Sequence, residues 1–171
     1  VKKIKYSSKN KFDISYFNIE KSGPYGAMNY GINLANQKYI WIINSGDSIL
    51  DFSIKEFKNI ISNKNENQLP VIFGKVVRFY KKQKYIIGDK KFSNKSKFRL
   101  NEIHPSILIP KFLYKKYGLY NNKYYVAADL DLLLRFRASY DNFLHMENLY
   151  VSFPFGGISS RKFESPLNML N

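Results

Sequence analysis

Apolar and polar positions along this chain recur with two periods, and the changes between them mark its elements. Val1 to Lys5 alternates apolar and basic residues, and Phe12 to Ile19 (FDISYFNI) predicts a strand. Ala27 to Ala35 places Met28, Ile32 and Ala35 at helical spacing, with Ala27 and Leu34 beside them, which predicts a short amphipathic helix. Tyr39 to Ile43 (YIWII) is an uninterrupted apolar run, the composition of a strand buried on both faces. It stops abruptly at Asn44-Ser45-Gly46-Asp47. Asp51 to Ile61 spaces Phe52, Ile54, Phe57, Ile60 and Ile61 as a helix does, with Asp51 as its predicted N-cap.

After a polar loop (NKNENQLP), Val71 to Tyr80 and Tyr85 to Ile87 predict two strands joined by a lysine-rich turn, hence an antiparallel pair. Gly88 to Asn101 predicts an irregular basic loop. Ser106 to Ile109 predicts a short strand closed by Pro110, and Lys111 to Tyr117 a short helix stopped by Gly118. Ala127 to Arg137 (AADLDLLLRFR) has a leucine-rich face and is the clearest helix. Phe143 to Met146 and Leu149 to Phe153 predict strands, followed by Gly156-Gly157-Ile158-Ser159. Without an internal repeat or a Pro- or Gly-rich linker, the pattern predicts one mixed α/β domain over residues 1–171.

Composition narrows the classes. A chain of 171 residues that is 44% hydrophobic and 17% aromatic can bury a substantial core, which excludes a disordered chain. There is no cysteine, so disulfides and thiolate metal sites are excluded. The longest apolar runs fall short of the roughly 20 residues of a spanning helix. The start VKKIKYSSKNK has the charge of a signal peptide without its apolar segment. The expectation is a soluble or membrane-peripheral chain.

A formal charge of +15, from 28 basic and 13 acidic residues, suits nucleic acid, an anionic membrane surface or a phosphorylated substrate. The same excess of lysine beside Asn, Ile and Tyr is also what an AT-rich genome encodes. The arginines are only Arg78, Arg99, Arg135, Arg137 and Arg161, which argues against base readout by arginine forks.

Ligands of open α/β sheets sit outside the carboxyl ends of strands, which makes Asp47 a candidate site residue. Taken alone, Ser45-Gly46-Asp47 also reads as a turn. Asp129 is either a reactive carboxylate or one favoured by a helix dipole, and Asp131 is spaced for an i,i+4 pair with Arg135. His104, before Pro105, is either a ligand contact or structural. Gly156 and Gly157 either let backbone approach a ligand or form a turn.

Three blocks together are more specific. GPYGAMNYGINLANQKYIWIINSGD, HPSILIPKFLYKKYGLYNNKYYVAADLDLLLRF and FGGISS, in that order, resemble family 2 glycosyltransferases of the A-type fold, in a polysaccharide-biosynthesis branch. The resemblance implies a Rossmann-like mixed sheet flanked by helices. It also implies that the family's first βαβ unit precedes Val1, so that the chain as given is a fragment with weak donor affinity. The implied activity is transfer of a sugar, with inversion, from a nucleotide-diphosphate donor to a hydroxyl of a glycan or lipid-linked acceptor in bacterial cell-surface glycan biosynthesis. Asp129 matches the general base. Gly23, Tyr25, Met28, Asn29, Asp47 and His104 match the donor side, and Asp47 the ligand of a divalent metal, Mg²⁺ or Mn²⁺. The implied location is cytoplasmic, with peripheral contact at the anionic inner face of the membrane and no nucleic-acid partner.

The chain departs from the family at Ser22, Gly26, Asn44, Gly46 and Ala128, where acids are usual. Those losses leave open an inactive sugar- or nucleotide-binding domain, and the charge leaves open a basic nucleic-acid or membrane-surface protein.

Overall fold

A computed structural model describes residues 2–7, 13–19, 23–80, 83–88 and 104–152. The chain runs β1 (Lys2–Ser7), β2 (Asp13–Asn18), α1 (Gly23–Leu34), β3 (Tyr39–Trp41), β4 (Ser48–Phe52) and α2 (Ile54–Ile61). It continues with β5 (Val71–Tyr80), β6 (Gln83–Ile87), β7 (Ile107–Pro110), α3 (Lys111–Tyr117), α4 (Ala128–Ser139) and β8 (Phe143–Ser152). The basic loop expected beyond Gly88 and the Gly156-Gly157 turn lie outside the described residues.

The most apolar strand organises the sheet. Val71 to Val77 of β5 are buried, and β5 takes β7 and then β6 along one edge and β8 along the other. The strand order is β3-β7-β5-β8-β4, with β6 beside β5. Only the β5–β8 pairing is parallel among the described residues, so the sheet is mixed. β1 and β2 form a separate antiparallel hairpin.

Side chains alternate across the sheet as the pleat requires. Val71, Phe73, Ile107 and Ile109 pack with Ile32 of α1, Phe112 and Leu113 of α3, and Leu132, Leu133 and Phe136 of α4. Ile72, Leu108, Met146, Leu149 and Val151 point the other way, against Phe52, Phe57, Ile60 and Ile61 around α2. Helices therefore cover both faces of a mixed sheet, a mixed α/β arrangement compatible with a Rossmann-like fold. Among the described residues no helix is long and apolar enough to cross a membrane.

Four elements differ from their predicted form. α1 begins at Gly23, not Ala27: Gly23 takes a φ of +64°, and Pro24 sits in the first turn, where a missing N–H breaks no helical bond. β3 is shorter and less buried than YIWII predicts: it stops at Trp41, only Ile40 is buried, Ile43 is exposed, and it pairs only with β7, so it is a sheet edge among the described residues. Asp51 is not a helix cap: it lies in β4, paired with Tyr150. The cap of α2 is Ser53, whose Oγ accepts the Glu56 N–H at 3.2 Å.

The two predicted C-terminal strands are one strand, β8, with a bulge. Its partner β5 advances from Phe73 to Lys75 while β8 advances from His145 to Tyr150. The bulge drops Leu149 onto Gly74, where an added Cβ would lie 2.3 Å from the Leu149 Cγ. Glu56 clasps its outside, accepting the N–H groups of Glu147 at 2.8 Å and Asn148 at 3.1 Å.

Candidate functional site

The acidic loop is built by its own backbone. Asp47 N–H donates to the Asn44 carbonyl at 3.0 Å, and Asn44 N–H returns to Asp47 Oδ2 at 2.9 Å. Gly46 holds a φ of +93° inside this turn, a conformation that glycine adopts at little cost. Burial disfavours the Asp47 carboxylate charge and raises its pKa, opposed by the bonds from Asn44 and by His104.

His104 opens a 3-10 turn, residues 104–106, just before β7. The Trp41 indole N–H donates to the Pro105 carbonyl at 2.8 Å, which pins the end of β3, and the loop after it, to this turn. The ring is buried, and its Nε2 lies 3.0 Å from the Tyr120 hydroxyl. Burial pushes its pKa below the usual histidine range, while the charges of Asp129 and Asp47 both pull it upward. Two carboxylates from distant parts of the chain thus act on one imidazole.

Asp129 arrives on the first turn of α4. Ala127 precedes that helix in a left-handed conformation, with no side chain to cap it. The Tyr25 hydroxyl from α1 lies near the backbone N–H groups of Ala127, Ala128 and Asp129, which favour its ionised form. Tyr25 also stacks on Tyr120, with centroids 5.6 Å apart and planes 22° from parallel. Burial, and then the charge of Asp129, raises the Tyr25 pKa. Burial, Tyr114 and Asp129 push Tyr120 well above the usual phenol value. Both rings therefore keep their hydroxyl protons at neutral pH.

The loop that carries Tyr120 is held from two sides. Asn29 donates to the Tyr120 carbonyl at 2.9 Å and to Asn122 Oδ1 at 3.1 Å, and accepts the Tyr120 N–H at 2.9 Å. Arg135 donates from Nη1 to the Tyr117 carbonyl at 2.5 Å and from Nη2 to the Leu119 carbonyl at 2.7 Å. Its Nε meets Asp131 at 3.0 Å, the i,i+4 pair predicted from spacing.

Of the residues singled out in the sequence, Asp47 and Asp129 both act electrostatically on His104, and the charge of Asp129 also acts on Tyr25. Asn29 lies one step away, its amide committed to the Tyr120 peptide. Met28 packs partly buried on the core and lines a separate apolar cavity of about 390 Å³ between α1 and β3, with Gly31, Ala35 and Trp41. Gly23 is exposed at the start of α1. Tyr120 has no sequence signal: it follows a helix-stopping glycine in an irregular segment, and only the fold brings it to His104. Among the described residues no group of three or more His, Cys, Asp or Glu is placed to hold a metal ion. In comparison with known proteins, no family model and no curated sequence matches this chain.

Proposed function

We propose that this chain carries a sugar-transfer site of the A-type family 2 kind, with Asp129 as general base and Asp47 on the donor side. The observation that supports this most is that Asp47 and Asp129 share a single buried imidazole as their electrostatic neighbour. An inverting transfer needs a carboxylate to accept the proton of the attacking acceptor hydroxyl while the bond from the sugar to the diphosphate breaks. Asp129, fixed on the first turn of α4, serves that step, and positioned bases contribute roughly 10²–10⁴-fold.

Asp47 fits a hard divalent ion. Mg²⁺ is commonly held by one or two carboxylates, with the remaining oxygens from substrate phosphates and water, so a lone carboxylate suffices when a diphosphate enters with the ion. The burial that disfavours the Asp47 charge is the condition a cation relieves. Bound there, Mg²⁺ or Mn²⁺ would neutralise charge on the departing diphosphate. Gly46 fits the same reading, because the turn that presents Asp47 requires its positive φ. His104, buried and braced by Tyr120, is the group that both acids act on.

Turnover of a panel of sugar nucleotides by the full chain with Mn²⁺ tests this. Asp129→Asn is expected to lose about 10²-fold or more in transfer while donor binding is kept. Asp47→Asn is expected to weaken metal-dependent donor binding. Donor binding without turnover in the unsubstituted chain would favour the inactive binding domain. Turnover unchanged in Asp129→Asn would remove Asp129 from its role.

A further inference from the structure

We propose that the β5–β6 hairpin docks this chain onto an anionic lipid surface, with Phe79, Tyr85 and Ile86 entering the headgroup region and Lys84 pairing with lipid phosphate. The proposal does not depend on the sugar-transfer reading. β5 is buried through Val77, then leaves the core, and β6 covers only its far half. On this projecting ribbon Phe79 is 60% exposed, Ile86 45% and Tyr85 44%.

The register sorts these side chains. Val77 opposes Ile86 and Phe79 opposes Lys84, so Phe79 and Ile86 are diagonal neighbours on one face, with Lys84 beside them. Tyr85 opposes Arg78 on the other face. Both faces of the ribbon thus show large apolar groups to solvent, where a solvated hairpin would carry polar ones.

Charge selects the occupant. Lys84 is exposed on the ribbon opposite Phe79, and the whole chain carries +15. Lysine is depleted in the cores of protein–protein interfaces, whereas aromatic and aliphatic groups flanked by lysine suit a membrane headgroup layer. Anionic lipid also attracts basic residues near the surface, and salt weakens that attraction within a Debye length. Phe79 and Tyr85 lie on opposite faces of the ribbon and form no single platform for successive bases, so RNA is the less suited polyanion.

Co-sedimentation of the full chain with two kinds of vesicle tests the proposal: phosphatidylcholine alone, and an equimolar mixture with phosphatidylglycerol. Binding is expected to the mixed vesicles only, falling as salt rises. Phe79→Ser and Ile86→Ser should each lower it about tenfold, by loss of inserted apolar surface. Lys84→Gln should lower it roughly fivefold. Thermal unfolding of each variant reports whether the fold is kept, and because all three side chains are exposed, any one folded variant is sufficient for the comparison. Equal binding to neutral vesicles, no binding to mixed vesicles, or undiminished binding by the folded variants would overturn the proposal. So would tighter binding to a homopolymer RNA that the same variants leave unchanged.

Discussion

Asn29→Ala removes a clamp whose worth follows from its geometry. Its amide makes three hydrogen bonds to the 120–122 loop, at 2.9, 2.9 and 3.1 Å. Without it, the Tyr120 N–H and carbonyl remain partly buried with no replacement from Ala. Each such group costs about 1–3 kcal/mol. Alanine's better helix propensity returns roughly 0.5 kcal/mol within α1. The expected net loss is about 1.5–5.5 kcal/mol. For a chain of 171 residues, each kcal/mol moves the melting temperature by roughly 2–4 °C, so a fall of about 3–22 °C is expected.

Asn29→Asp should not rescue it. The carboxylate can still accept the Tyr120 N–H, but it sets negative charge against the Tyr120 carbonyl and Asn122 Oδ1, which the amide had served as donor. Thermal unfolding by circular dichroism, with urea midpoints beside it, measures both variants. A residue held only for donor contact would leave both close to the unsubstituted chain, and that result would refute the clamp.

Gly74→Ala is expected to cost about 3 kcal/mol or more in urea unfolding, because the new Cβ meets backbone as well as side chain, 2.4 Å from the Leu149 carbonyl oxygen. A urea midpoint equal to that of the unsubstituted chain would contradict the close approach of Leu149 to Gly74. His104 sets a pH dependence. Burial lowers its folded pKa, so the unfolded chain takes up the proton first, and stability present above about pH 6.5 is lost as pH falls toward the folded value. His104→Gln should flatten this slope; a slope that persists would assign it to other groups.

How much of this was legible in the sequence depended on how far apart the interacting residues lie. α4 was written in its leucine stripe, α3 in the glycine that ends it, and the Asp131–Arg135 pair in a four-residue spacing. The cap of α2 was present locally as Ser53 followed by Glu56, but the apolar spacing reaches back to Phe52 and hides the strand that ends there. The β8 bulge showed as a polar break at Glu147-Asn148, which a pattern of period two reads as two strands. Its reason, the missing side chain at Gly74, lies on another strand.

The candidate site was the least legible part. Asp47 and Asp129 were chosen for their chemistry and their places after a strand and on a helix start. The groups that hold them in place were not visible. Asn29 meets Tyr120 across 91 positions, and Tyr25 of α1 stacks on the same distant ring. No local pattern encodes such a contact, since neither partner's neighbours change their periodicity because of it.

The central claim, that Asp47 and Asp129 both act on one imidazole, is tested most directly by titrating His104 by NMR. The sequence has only two histidines, so assignment needs a single substitution. In metal-free buffer, Asp47→Asn and Asp129→Asn should each lower the His104 pKa further, because each removes a negative charge that favours the imidazolium. The double variant should lower it most. A His104 pKa that moves with one substitution and ignores the other would contradict the shared site.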